Sequence, residues 1–475
     1  MELEKNSIST TLQHPSIQNK WKGDKNMSGE KSPQQPKPQQ LKRELGWFSA
    51  SVMGLASVIG AGIFVSIGIA AGISGSFVIG ALVVTGLLAA CNSLNLAQLA
   101  VSHPVSGGIY EYGYKYLTPW LGFTGGWIYL LSKTAVAATA ALGFSGYLLN
   151  ALGITETSIL IPIAEVAVVS ITLIALSGMK LSKVSTLVVV LITILSLLFL
   201  IVVGLYISIN NGFDKLIASG TSVNHWNINF FQSVALMFVS YNGAARITMV
   251  GEEIVDPRQS IPKAVSITIV MTMLLYVGVA VASLGTIGAE AFAEASLVKA
   301  APLQVVAKSF GIPGAGNILT LGAITSMLSI LLTTILGVSR LLLAMGRRGD
   351  MPKFLSNLNE SGTTPYWAVL SVGITITLLV LIGDVKTTWS LGTFGALSRS
   401  AIIALAALQM SDEERLYPKW TTWLSLSTSI LLIFCVEWQY WVTGIGVIGL
   451  GLIWHFTIRQ INSKEKVIQQ ETFTQ

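Results

Sequence analysis

The sequence predicts an all-α polytopic membrane protein of twelve transmembrane helices, arranged as a five-plus-five inverted repeat with helices 1 and 6 broken. Three observations carry this reading. Of 475 residues, 52% are hydrophobic and only 11% are charged, against about 25% charged in soluble proteins. Apolar runs of the length that crosses a bilayer, about 20 residues, recur along the chain. Two of those runs, five spans apart, are interrupted at their centres by glycine and polar residues, the mark of membrane folds built from two inverted halves.

The spans read at roughly 48–72, 76–100, 120–150, 159–178, 183–209, 229–250, 262–287, 316–345, 366–383, 387–409, 420–437 and 440–459. Pro302 to Phe310 is too short to cross and reads as a surface helix in a loop. Charge placement supports this count. With the N-terminus inside, 21 of the 29 Lys and Arg residues fall in inner segments and 4 in outer ones, as the positive-inside rule requires. Both termini are then cytoplasmic and the chain is multi-pass in a plasma (inner) membrane.

Residues 1–43 are polar and rich in Lys, Gln, Ser and Pro. They lack the apolar stretch of a signal peptide and read as a disordered cytoplasmic tail. The stretch "GEKSPQQPKPQQLKR" holds no aromatic residue to stack on bases, so no nucleic-acid partner is expected. Residues 44–460 form the membrane domain, with repeat one at about 44–209, repeat two at about 229–409 and helices 11 and 12 at about 420–459. Residues 461–475 form a second cytoplasmic tail.

Span one carries Gly60-Ala61-Gly62 at its middle, and span six carries Ser240-Tyr241-Asn242-Gly243. Glycine is about 1 kcal/mol poorer than alanine in a helix, and unwound backbone at membrane depth is tolerated only where it is buried or lines a cavity. A break near Val58, Gly60, Ala61 and Gly62 frees N–H groups and the positive end of a half-helix, which together attract a carboxylate. A break in span six frees the carbonyls of Phe238, Val239 and Tyr241 for an ammonium, with Tyr241 and Asn242 placed to line a side-chain pocket. The pair suits an amino acid zwitterion. A single GxG alone would read as close helix packing.

Several blocks then carry a resemblance. "GLASVIGAGIFVSIG", "CNSLNLAQLAVSHPVSGGIYEYGYKYL", "GFTGGWIYLLSKTA", "YNGAARITMVGEEIVDPRQSIPKAV", "SRLLLAMGRRGDMPKFL" and "EERLYPKW" resemble, in order, motifs of the amino acid–polyamine–organocation (APC) permeases, from about Leu45 to Arg459. The resemblance implies the twelve-span fold and secondary transport of amino acids or related amines by alternating access. The alternatives it leaves open are an amino acid/amine exchanger and a non-transporting nutrient sensor. Glu252, Glu253 and Asp256-Pro257-Arg258 match the family's inner loop after span six, and Arg347-Arg348-Gly349-Asp350 its loop after span eight. Two departures matter. The lysine that some proton-coupled relatives carry in span five aligns with Ile192, and the span-six glutamate of certain exchangers is Ala245. The blocks are most similar to a bacterial branch with a lysine in span three, here Lys133.

Charged residues within spans are costly and by default functional candidates. Lys133 in span three is the coupling candidate, with protons as the ion. Arg246 keeps its charge and is a gate candidate, to be paired with Glu111, Glu252 or Glu253. Arg399 in span ten either faces the cavity or snorkels. Ser326, Ser329, Thr333 and Thr334 are hydroxyls of the kind that ligate sodium, although such groups more often bond their own helix. No acidic residue is placed at the centre, which favours neutral amino acids over polyamines. Cys91 and Cys435 form no CxxC or Cys/His cluster and read as core residues. The four histidines lie far apart. No metal site, cofactor or enzymatic constellation is expected.

Overall fold

The computed structural model describes residues 43–473, apart from 106, 155, 179–182, 222–225 and 360–363. Nearly all of the N-terminal tail, and Lys180, lie outside the described residues. The described chain is helical, with a single isolated bridge between Leu45 and Ile254.

In order, the helices are α1 (Trp47–Val58), α2 (Ile67–Ser74), α3 (Val78–Ser102), α4 (Ile109–Tyr116), α5 (Pro119–Ala151), α6 (Leu160–Leu176), α7 (Lys183–Asn210), α8 (Asp214–Thr221) and α9 (Trp226–Phe238). They continue with α10 (Ala244–Met249), α11 (Pro257–Ile287), α12 (Ala289–Leu297), α13 (Pro302–Lys308), α14 (Ala315–Arg348), α15 (Tyr366–Val380), α16 (Val385–Leu408), α17 (Lys419–Cys435) and α18 (Trp438–Phe473). Among the described residues, eight helical segments are long and apolar enough to cross a membrane, and α1 and α15 are shorter apolar helices. The first of the eight runs from Gly62 to Ser102, because the second half of the broken span continues into α3.

Composition accounts for this arrangement. The outward face of α7 exposes Leu191, Leu195, Leu198 and Val202, a stripe that suits lipid and would be an aggregation hazard in water. Inward faces are made of small residues. Ala137, Ala138, Ala140 and Ala141 of α5 are fully buried, and α5 packs closely on α14 and α16. Small side chains let helix backbones approach where lipid offers no hydrophobic drive between helices. α1 packs on α11, α3 on both α11 and α9, and α14 on α7.

Two expectations change. The segment at Pro302 is a helix, but not a surface one: Leu303, Val306 and Ala307 are fully buried, and α13 packs against α14 and α12. Its backbone is tied in as well, since the Leu303 N–H donates to the Tyr147 hydroxyl at 3.2 Å. Cys91 and Cys435 are free thiols, and both are half-buried rather than core residues.

Candidate functional site

The first helix break follows Val58. α1 ends there, Ile59 turns extended at φ −76°, ψ 97°, and the chain resumes as a π-helical turn over Gly62–Ser66 before α2. The Ile59 N–H still reaches back to Leu55 O at 2.9 Å, while Ile63 and Phe64 donate to Gly60 O at 3.0 and 2.9 Å. The N–H groups of Gly60, Ala61 and Gly62 find no backbone acceptor among the described residues. Val58 itself closes α1 and presents its carbonyl to the break. Side-chain hydroxyls satisfy the carbonyls the break releases. Tyr276 of α11 donates to Val58 O at 3.1 Å, Ser326 of α14 to Ile59 O, and Tyr147 of α5 to Phe64 O at 2.8 Å.

The second break follows Phe238. Val239–Tyr241 tighten into a 3₁₀ turn and Asn242-Gly243 connect it to α10. Asn242 N–H donates to Val239 O at 3.3 Å and Arg246 N–H to Gly243 O at 3.0 Å. Phe238, Ser240, Tyr241 and Asn242 are buried. Tyr241 donates to Leu82 O of α3 at 2.9 Å, and its ring lies 5.4 Å from that of Tyr276.

Glycines bring the two breaks into contact. A Cβ on Gly243 would lie 2.6 Å from Val58 Cγ2 and 3.0 Å from Gly54 O. A Cβ on Gly62 would lie 3.0 Å from Ser240 Oγ and would also strike the Tyr276 hydroxyl. Gly60 faces Ile330 and Ser326 of α14. All three are needed for close approach. Ser240 Oγ and Asn242 Nδ2 are buried here without a hydrogen-bond partner. The two breaks therefore touch at Gly62 and Ser240 and at Val58 and Gly243, and between them they carry three free N–H groups and two side chains with unused polar atoms, an unusual density in a buried region.

Beside α10, three cationic side chains gather around Tyr129. Lys133 Nζ lies 5.9 Å and Arg399 Cζ 5.3 Å from the Tyr129 ring centroid. Arg246 is close enough to act on both Lys133 and Tyr129. Arg399 is only 1% exposed, so it faces the protein interior and does not snorkel.

A family model described as amino acid permease matches residues 49–411. The chain belongs to this family. An uncharacterized transporter of Mycobacterium tuberculosis is 31% identical over 415 residues, covering 87% of this chain and 91% of the relative. The branched-chain amino acid permease BcaP of Bacillus subtilis is 28% identical over 463 residues, covering 92% and 96%. The methylthioribose transporter of the same organism is 26% identical over 391 residues, covering 79% and 82%.

In this permease the loop-end groups form two distinct structures. Glu252 and Glu253 sit in a short turn after α10. Glu253 O accepts the N–H groups of Glu44 and Leu45 at 3.0 Å each, which ties the start of α1 to the end of α10. Glu111, offered above as one partner for Arg246, instead pairs with Arg348 at 2.8 Å. Glu253 and Arg340 also act on Arg246. Sequence reasoning missed the cluster around Asp350. Gly349, at φ 83°, ends α14 in a left-handed turn that glycine takes without strain. Asp350, which is buried, then accepts hydrogen bonds from Tyr110 at 2.6 Å and from Tyr114. Its carboxylate lies 3.4 Å from His455 Nδ1 of α18. Burial, then the hydrogen bond to Asp350, push both phenols well above the usual tyrosine range. The GRRGD block held the signal, but not the partners.

The hydroxyls on α14 mostly bond backbone. Ser326 caps Ile59, and Thr333 returns to Ser329 O at 2.8 Å.

Proposed function

We propose that this permease carries a neutral amino acid across the plasma membrane by alternating access, with transport linked to protons or facilitated. It has no enzymatic role. The observation that carries the reading is the contact between the two breaks. The N–H groups of Gly60, Ala61 and Gly62 meet the substrate carboxylate, where backbone donors and the half-helix dipole favour an anion. Carbonyls of Phe238, Val239 and Tyr241 accept from the ammonium, and Asn242 and Tyr241 border the side chain. The similarity to a branched-chain amino acid permease supports a neutral side chain.

The proposal includes twelve spans, cytoplasmic termini and an inverted repeat over about 44–209 and 229–409. Helix packing supports the repeat. α1 packs on α11 as α9 packs on α3, and α5 packs on α16 as α14 packs on α7, which is the pairing a two-fold between the halves requires. Alternating access then follows from rocking the pair of broken helices against the rest.

The test is uptake of labelled leucine into proteoliposomes, with the common amino acids and polyamines as competitors. Saturable uptake competed by neutral amino acids is expected. Competition by arginine, lysine or polyamines alone overturns the substrate class, and binding without uptake makes the protein a sensor.

A further inference from the structure

The three cations around Tyr129 have no use in the reading above except for Lys133, and their arrangement calls for a partner. They come from α5, α10 and α16, which are far apart in sequence. Arg399 is almost wholly buried, yet its Nε and Nη1 have no hydrogen-bond partner. Among the described residues no carboxylate acts on Lys133 or Arg399, and Glu253 is the one that acts on Arg246. The face of the Tyr129 ring attracts cations, but one ring cannot offset three. Like charges in a low-dielectric interior repel strongly, and a buried guanidinium without acceptors is among the costliest groups a protein can hold. Arg399 also lines a small cavity with Ile109, Tyr129, Ala245, Thr248 and Ile403, while Lys133 and Arg246 stand outside its wall.

We propose that this cavity is a binding site for a small anion of halide or carboxylate chemistry, held by Arg399 with Lys133 and Arg246 supplying positive potential. The anion accepts from the Arg399 donors and relieves the repulsion among the three cations. The site is separate from the N–H groups of Gly60, Ala61 and Gly62. Ala245 and Thr248 of α10, the second half of the broken helix, form part of its wall, so a displacement of that half-helix would alter the site. A free inorganic anion and the side-chain carboxylate of an acidic substrate are both sources of this chemistry.

The experiment follows thermal unfolding of the purified full-length protein in detergent. Chloride or glutamate replaces isethionate, a bulky sulfonate, at constant ionic strength. The expected result is a saturable rise in the unfolding midpoint with at least one of the two anions. Arg399→Gln is expected to weaken the apparent affinity at least tenfold, and Lys133→Met several-fold. Leucine-induced stabilisation retained in Arg399→Gln separates this site from the amino acid site. A rise with chloride assigns a free anion; a rise with glutamate alone assigns a substrate side chain and displaces the neutral-substrate reading while upholding the anion site. No saturable rise with either anion in the parent overturns the proposal. So does an unchanged response in Arg399→Gln, or in Lys133→Met where the first variant is not monodisperse.

Discussion

Arg348 at the end of α14 reaches Glu111 on α4 across 237 residues of sequence, at 2.8 Å, and its guanidinium lies over the Tyr114 ring at 4.1 Å. With Asp350, Tyr110, Tyr114 and His455 this pair ties α4, α14 and α18 together. The pair is partly exposed, with side chains 36% and 21% accessible, so its energy is modest, about 0–1 kcal/mol. That is too little to matter for folding but enough to bias two conformations a few-fold. Glu111→Gln and Arg348→Gln are therefore expected to leave the unfolding midpoint nearly unchanged. Each should raise the maleimide labelling rate of a Thr248→Cys reporter about two- to fivefold, in a background where Cys91 and Cys435 are serine. An unchanged labelling rate in both variants would show that the pair does not bias the two conformations.

The glycine contacts between the breaks give a sharper test. Gly243→Ala places a methyl group 2.6 Å from Val58 Cγ2 and 2.8 Å from Thr268 Cγ2. Overpacking of this kind costs about 1–3 kcal/mol, so the midpoint should fall. Gly62→Ala meets Ser240 at 3.0 Å, also strikes the Tyr276 hydroxyl that bonds Val58 O, and crowds the free N–H groups. Its expected signature is different: leucine affinity weakened about tenfold or more, equivalent to about 1.4 kcal/mol, in a protein that still inserts and runs monodisperse. Leucine affinity equal to the parent's in Gly62→Ala would take the first break out of the site.

Both breaks were legible in the sequence because glycine and polar residues are expensive in the middle of an apolar helix, and only a use for unwound backbone explains them together. The start of the first break was less legible. Val58 remains helical because its carbonyl, not its N–H, is the group released, and the Tyr276 partner comes from α11, 218 residues away. The burial of α13 was hidden for a similar reason: a seven-residue helix ending in Lys308 has too short a pattern to reveal which neighbours cover it. Lys133, Arg246 and Arg399 each stood out as charges within spans. Their meeting at Tyr129 depends on how α5, α10 and α16 pack, which no local pattern encodes.

The Asp350 cluster predicts an alkaline limit to stability. Tyr110 and Tyr114 have phenol pKa values raised above the ordinary 10.0. Between that value and the raised one the native state holds protons the unfolded chain has released. Their contribution to stability should therefore be fully present and independent of pH below about pH 10 and decline above it. The unfolding midpoint of a Tyr110→Phe/Tyr114→Phe double variant, followed from pH 7 to 11, should be lower than the parent's at pH 7, because two hydrogen bonds to Asp350 are lost. It should also fall less steeply than the parent's above pH 10. Equal slopes in the two proteins would refute the linkage.

Lys133 is the residue to which the proposed proton coupling is assigned. Ile192 and Ala245 stand where some relatives carry a lysine or a glutamate, so neither position can take up or release a proton here. Lys133 lies on the same helix face as Tyr129, one turn away, and shares that ring with Arg399. Its ammonium is the titratable member of the three-cation group, since arginine keeps its proton. Movement of α10 would change the distance from Arg246 to Lys133, and with it the repulsion between the two cations. Proton loss is then tied to conformation, which is the requirement for coupling. Uptake into liposomes is expected to rise under an inwardly directed proton gradient without any need for sodium. Lys133→Met should abolish that acceleration while leaving exchange of preloaded substrate measurable. Uptake that requires sodium and ignores the pH gradient would overturn proton linkage, and a pH response unaltered in Lys133→Met would assign it to another group.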